Sequence, residues 1–197
     1  MKAAKFTSIR RVTALCPSAT LMLTVLVLIV SATTTAAQTT VFVPGNTNGC
    51  FGHPVDRCVP LVAALAISGP GTITVTYVSG TVTDAFGVNT GPNGVSFNVG
   101  TSQTPLQEAN GVSGGTIGNL DALIGVFVPS SRVGAAGFKA IDGTKDRSRA
   151  GIVPCRLFFI GTGKTFSVGG AGTLFLGIND YFVGDNGGGF TVAVTGP

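Results

Sequence analysis

Thr72-Ile-Thr-Val-Thr-Tyr-Val78 places a threonine at every second position, with apolar residues between. Successive side chains of an extended chain point to opposite faces, so this alternation predicts a strand buried on one face. Comparable short runs lie at 39–43, 61–67, 95–99, 122–128, 157–160, 165–168, 173–178 and 190–194, separated by Gly, Pro, Asn and Asp. Past the leader, no stretch has helical periodicity with caps. Eight or nine strands at this spacing predict an all-β fold, a β-sandwich of the jelly-roll kind. The 30 glycines suit turns that need positive φ.

Charge is the next constraint. Four of the twelve basic residues (Lys2, Lys5, Arg10, Arg11) fall in the first eleven positions, and no acid precedes Asp56. Residues 38–197 therefore carry eight basic and eight acidic residues, so the pI of about 9.1 belongs to the leader. A neutral remainder argues against nucleic-acid or membrane-surface binding, both of which need surplus positive charge. Residues 1–37 read as a secretory signal peptide: a basic start, the apolar run Leu21–Val30, and small residues up to Ala37 for cleavage. The rival is an uncleaved anchor, since no charge separates Arg11 from Asp56. Polar residues 33–40 favour cleavage, and so an extracytoplasmic or secreted domain spanning 38–197.

Export permits disulfides. Cys16 leaves with the leader, and Cys50 and Cys58 bracket a loop that suits their pairing. Cys155 is then free or intermolecular, though either other cysteine can be its partner instead. These three with His53 lack the paired spacing of a zinc site. Residues 129–156 are long for a loop and hold six basic against two acidic residues. They read as a solvated excursion, with a contact surface for an acidic glycan as the alternative.

Motifs for catalysis are weak. Gly161-Thr-Gly-Lys-Thr165 lacks the upstream glycine of a phosphate loop, has Phe at 158 and precedes no helix, so it reads as a β-turn. His53 is the one histidine and Glu108 the one glutamate, and no Gly-x-Ser-x-Gly elbow is present. A hydrolase built on His53 is the minor reading, and a non-enzymatic module the main one.

The informative stretch is Gly172-Thr-Leu-Phe-Leu-Gly-Ile-Asn-Asp-Tyr-Phe-Val-Gly-Asp-Asn-Gly-Gly-Gly-Phe190. Asn179, Asp180, Asp185 and Asn186 fall between two predicted strands. Clustered carboxylates, amides and loop carbonyls are the donors a hard cation such as Ca²⁺ takes, six to eight oxygens at about 2.3–2.6 Å. The spacing is not that of an EF-hand. Side-chain-to-backbone turns are the competing use of such residues.

This stretch resembles the calcium-dependent galactose-binding lectins of the LecA (PA-I) type. That family ends a strand in Asn-Asp and continues to an Asn-Asn-Ser-Gly-Ser-Phe segment, matched here by Asn179-Asp180 and Asp185-Asn186-Gly-Gly-Gly-Phe190. Gly71-Thr-Ile-Thr-Val-Thr, Gly80-Thr-Val-Thr-Asp-Ala-Phe, Gly91-Pro-Asn-Gly94 and Ala122-Leu-Ile-Gly125 extend the match over roughly 61–194.

The resemblance implies a galactose-binding-domain-like sandwich holding Ca²⁺. Asp180, Asp185 and Asn186 would be side-chain ligands, with backbone carbonyls from Asp84 and Phe182. Asp84, Asp180, Tyr181 and Asp185 would meet a carbohydrate whose hydroxyls complete the calcium shell. It further implies a homo-oligomer, since shallow sugar sites gain by multivalency. Four features depart from the family, one being the basic segment from Pro129, much longer than the family's loop. Its His-Pro pair has no counterpart between Gly94 and Asp121, Asp84 replaces its Tyr, and the loop from Asp180 to Asp185 is shorter. The metal site is therefore expected more firmly than galactose. The alternative is a structural or adhesive sandwich in which calcium locks only the C-terminal loop.

Overall fold

A computed structural model describes residues 37–49, 59–98, 104–106, 116–132, 157–180 and 182–197. Residues 1–36 of the expected leader, Cys50, His53, Cys58, Glu108, Cys155, Tyr181 and most of the basic segment 129–156 lie outside them. Contacts divide the chain after Thr34, and every described residue belongs to the unit Thr35–Pro197.

The protein is an all-β sandwich. Eleven strands are present among the described residues: β1 (Gln38–Pro44), β2 (Val62–Ile67), β3 (Gly71–Thr83), β4 (Asn89–Thr90), β5 (Val95–Asn98), β6 (Thr116–Leu120), β7 (Leu123–Pro129), β8 (Leu157–Phe159), β9 (Gly163–Val168), β10 (Gly172–Ile178) and β11 (Gly187–Thr195). Each of the nine runs read from the sequence is a strand, with ends moved by a few residues. One sheet has the order β1-β11-β3-β4, with β9 also pairing β3; the other has the order β2-β10-β7-β8; β5 and β6 form a separate pair. The antiparallel pairs β1/β11, β2/β10, β3/β9 and β7/β8 nest one inside the next along the chain, which is the connectivity of a jelly roll. Among the described residues no helix is long and apolar enough to cross a membrane.

Two strands escaped the sequence reading for local reasons. Asn89–Thr90 is too short to show a period, and Thr116–Leu120 contains a glycine and an Asn119 in the left-handed region (φ 67°). Two others are longer than read. β3 continues past Val78 to Thr83, and β11 begins at Gly187 rather than Phe190. The register between them shifts at Thr191/Val192, leaving Val78 unopposed. The bulge exchanges the faces of β3: Ile73 and Val75 point inward before it, Val82 after it. Gly80 (φ 107°) sits so close to Gly189 that a Cβ there would meet the Gly189 carbonyl, and this approach carries the pairing through the glycine run.

Val43, Ile73, Val75, Val82, Leu174, Leu176, Ile178, Phe190, Val192 and Val194 fill the space between the sheets. The β2-β10-β7-β8 sheet is apolar on its other face as well, where Leu61, Ile124, Val126, Val128, Leu157 and Phe175 cluster with Leu106. The first sheet instead turns hydroxyls outward, Thr74 Oγ1 lying 3.0 Å from Thr165 Oγ1. Of the Gly161–Thr165 stretch read as a turn, Gly161 and Thr162 form one, carrying the chain from β8 in one sheet to β9 in the other, while Gly163 to Thr165 already belong to β9.

Phe190 is fully buried, with Tyr77 edge-on at 6.0 Å between ring centroids. Phe190→Ala is expected to lower the unfolding free energy by about 3–5 kcal/mol, read from urea denaturation.

Candidate functional site

Four connections meet at one end of the sandwich. β3 ends at Thr83 opposite Gly187 at the start of β11, while β10 ends at Ile178 opposite Leu123 at the start of β7. Residues 179–186 carry the chain from the second sheet to the first. The segment after β1 lies against them: Ile178 N donates to the Thr47 carbonyl (2.6 Å), and Gly45 N to the Gly188 carbonyl (2.9 Å).

These connections bring together residues far apart in sequence. Asp84, Ala85, Phe86, Leu120, Asp180, Phe182 and Asp185 line a depression of about 100 Å³. Of the expected ligands, Asp84, Asp180, Phe182 and Asp185 thus share one wall, and Asn186 Nδ2 donates to Asp180 Oδ2 (2.8 Å). Asn179 is turned away. Its amide accepts from Leu106 N (3.0 Å) and donates to the Asn119 carbonyl (2.8 Å), bracing the loop from within.

Part of this chemistry is turn chemistry. Asp180 Oδ1 accepts from Phe182 N (2.9 Å), and Asp84 Oδ1 accepts from Phe86 N (2.9 Å) and Val88 N (3.0 Å). Each carboxylate closes a tight turn. Val183–Asp185 is a short 3-10 turn whose Val183 carbonyl accepts from Asn186 N (3.3 Å). No group of three or more Asp, Glu, His or Cys among the described residues is gathered tightly enough to hold a metal ion as it stands.

Two residues join the site that sequence reasoning did not select. Asp121 lies between β6 and β7, is 0% exposed, and adopts φ 61°. A non-glycine residue in this region is uncommon, Asp and Asn being the side chains that tolerate it best. Its Oδ1 accepts from Asn186 Nδ2 (3.2 Å), while its Oδ2 is buried without a hydrogen-bond partner. The available signal was the pair Asn119 and Asp121 immediately before the apolar run of β7, two residue types suited to left-handed backbone. Phe86, the second, lines the depression and is 73% exposed, a large aromatic held outward on the Asp84 turn. Its signal was an aromatic within a tight Asp-to-Gly turn.

The electrostatics follow from the composition of this corner. All four acids among the described residues (Asp84, Asp121, Asp180, Asp185) lie here, whereas Arg132 follows the far end of β7 and Lys164 sits over the Phe158 ring. The Asp121 carboxyl is pushed up to about 7. Burial is the largest cause and the Asp180 carboxylate the next. The Asn186 hydrogen bond works against them, and Asp84 and Asp185 add repulsion.

The folded protein accordingly holds this proton more tightly than the unfolded chain. Its stabilising effect is complete below the ordinary value of 3.8 and is lost as pH rises through about 7. In metal-free buffer the urea midpoint should fall over that interval, and Asp121→Asn should flatten the decline. No protein-family model matches the chain, and no curated protein matches it.

Proposed function

We propose that this is an exported, non-enzymatic, calcium-dependent carbohydrate-binding module. The observation that carries the reading is the convergence of Asp84, Asp180, Phe182 and Asp185, from connections a hundred residues apart, on one open depression beside Asn186. The donors suit the ion: carboxylate, amide and carbonyl oxygens are hard, and a corner with four acids and no described base favours a divalent cation. Asp180, Asp185 and Asn186 would hold it by side chains, with carbonyls of Asp84 and Phe182. A bound calcium with open positions exchanges water for vicinal hydroxyls of a sugar, and Tyr181 belongs to the same loop.

Phe86 adds what the substitution of Asp84 for an aromatic takes away. An exposed ring on the rim of a calcium site offers its face to the C–H side of a sugar ring. This favours a neutral glycan over one chosen by charge, and the absence of the His-Pro pair leaves galactose as one candidate among hexoses. The turn bonds of Asp84 and Asp180 favour a second reading, in which calcium only locks the loop and no sugar binds.

Thermal melts of the protein across a calcium titration test the metal. A ligand bound only by the folded state adds about 2.7 kcal/mol at a hundredfold excess over its dissociation constant. The melting temperature should rise with calcium in the wild type and stay flat in Asp180→Ala; a flat wild type overturns the reading. A glycan array with calcium then separates the sugar-binding and structural readings. Phe86→Ala should lose glycan binding and keep the calcium-dependent rise.

A further inference from the structure

Asn186 holds an unusual position beside Asp180, which lines the depression. Its Nδ2 lies 3.2 Å from the Gly45 carbonyl, 3.2 Å from Asp121 Oδ1 and 2.8 Å from Asp180 Oδ2. A side-chain amide has two hydrogens, so it cannot serve three oxygens. Its own Oδ1 is buried with no partner, and so is Asp121 Oδ2. Buried polar atoms of native proteins nearly always find partners, and an orphan beside a crowded donor calls for an explanation such as an unfilled ion position. Three oxygens from three separate connections converge here on one point, and two more oxygens beside it have no partner.

We infer that a divalent cation takes the place of Asn186 Nδ2, with Asp121 and the Gly45 carbonyl as ligands beside Asp180, and with Asn186 turned to present Oδ1. This rests on the calcium reading above and extends it inward, from the 179–186 loop to the β1–β2 and β6–β7 connections. Two carboxylates, an amide oxygen and a carbonyl make a set of hard donors with room for Asp185 or solvent, which calcium's flexible shell accepts. The arrangement accounts for two otherwise costly features. It gives a buried carboxylate an ion to neutralise it, and it gives a reason for Asp rather than Gly at a left-handed backbone position. Gly45 packs against β11 so closely that a Cβ on it would lie 2.6 Å from the Gly187 carbonyl, and its N–H donates to the Gly188 carbonyl (2.9 Å), which sets where its own carbonyl is offered.

The test is a calcium titration by calorimetry on wild type, Asp121→Asn and Asp121→Gly, followed by terbium luminescence lifetimes in H₂O and D₂O. Asp121→Gly removes the carboxylate from a backbone position glycine adopts without strain, so it folds even where Asp121→Asn does not. Both variants should weaken calcium binding at least tenfold. The terbium complex of Asp121→Gly should gain about one coordinated water, because solvent fills the lost position in a shell of six to eight. A residue that only steadied Asn186 would leave the water count unchanged. Wild type binding calcium, with the Asp121→Gly affinity within tenfold of it or its water count unaltered, overturns this inference and leaves the calcium reading intact. A wild type that binds no calcium overturns both.

Discussion

The connection from β10 to β11 has to take the chain from the middle of one sheet to the middle of the other, because β10 is flanked by β2 and β7 and β11 by β1 and β3. The crossing closes one end of the sandwich: Asn179, Asp180 and Val183 are buried while Gly184 and Asp185 stay exposed. Where its backbone is buried, donors and acceptors need partners. Asn179, Asp180 and Asn186 answer that need, reaching Leu106, Asn119, Phe182, Gly45 and Asp121. The corner is polar because the topology makes it so, and it is acidic because the side chains chosen to satisfy it are carboxylates and carboxamides.

What could be read in advance divides along the same line. The strands were legible wherever one face is buried, because threonine and aliphatic residues then alternate, as in β3 up to Val78 and in β11 from Phe190. They were illegible where glycine pairs with backbone: at Gly80 and Gly187–Gly189 there is no side-chain pattern, yet the ladder continues. Within the site, Asp180, Asp185 and Asn186 stood out because they are close together in sequence. Asp84 came from the likeness of its surroundings to a known family. Asp121 reaches the site through β7–β10 pairing and its bond from Asn186, and its local sequence marks it only as a turn residue. Phe86 was missed for a different reason, since an exposed aromatic in a turn has no period to betray it.

The two sheets also divide labour. The β2-β10-β7-β8 sheet is apolar on both faces and forms the floor of the site, with Asp121 just before β7 and Asp180 just after β10. The β1-β11-β3 sheet has one wet, hydroxyl-bearing face and contributes Gly45, Asp84 and Asn186. A ligand held across this end would therefore touch both layers, so that its binding and the closure of the sandwich are energetically one event.

The place of β11 has a consequence for how the protein comes to be folded. It is the last in chain order of the strands among the described residues, yet it lies between β1 and β3, which it joins. Until a ribosome has delivered it, the first sheet has a gap at its centre and the core residues of both neighbours remain wet. The sheet closes only when β11 enters between its two neighbours. The pairings that close it, β1 with β11 and β3 with β11, join segments far apart in the sequence and are therefore slow to form.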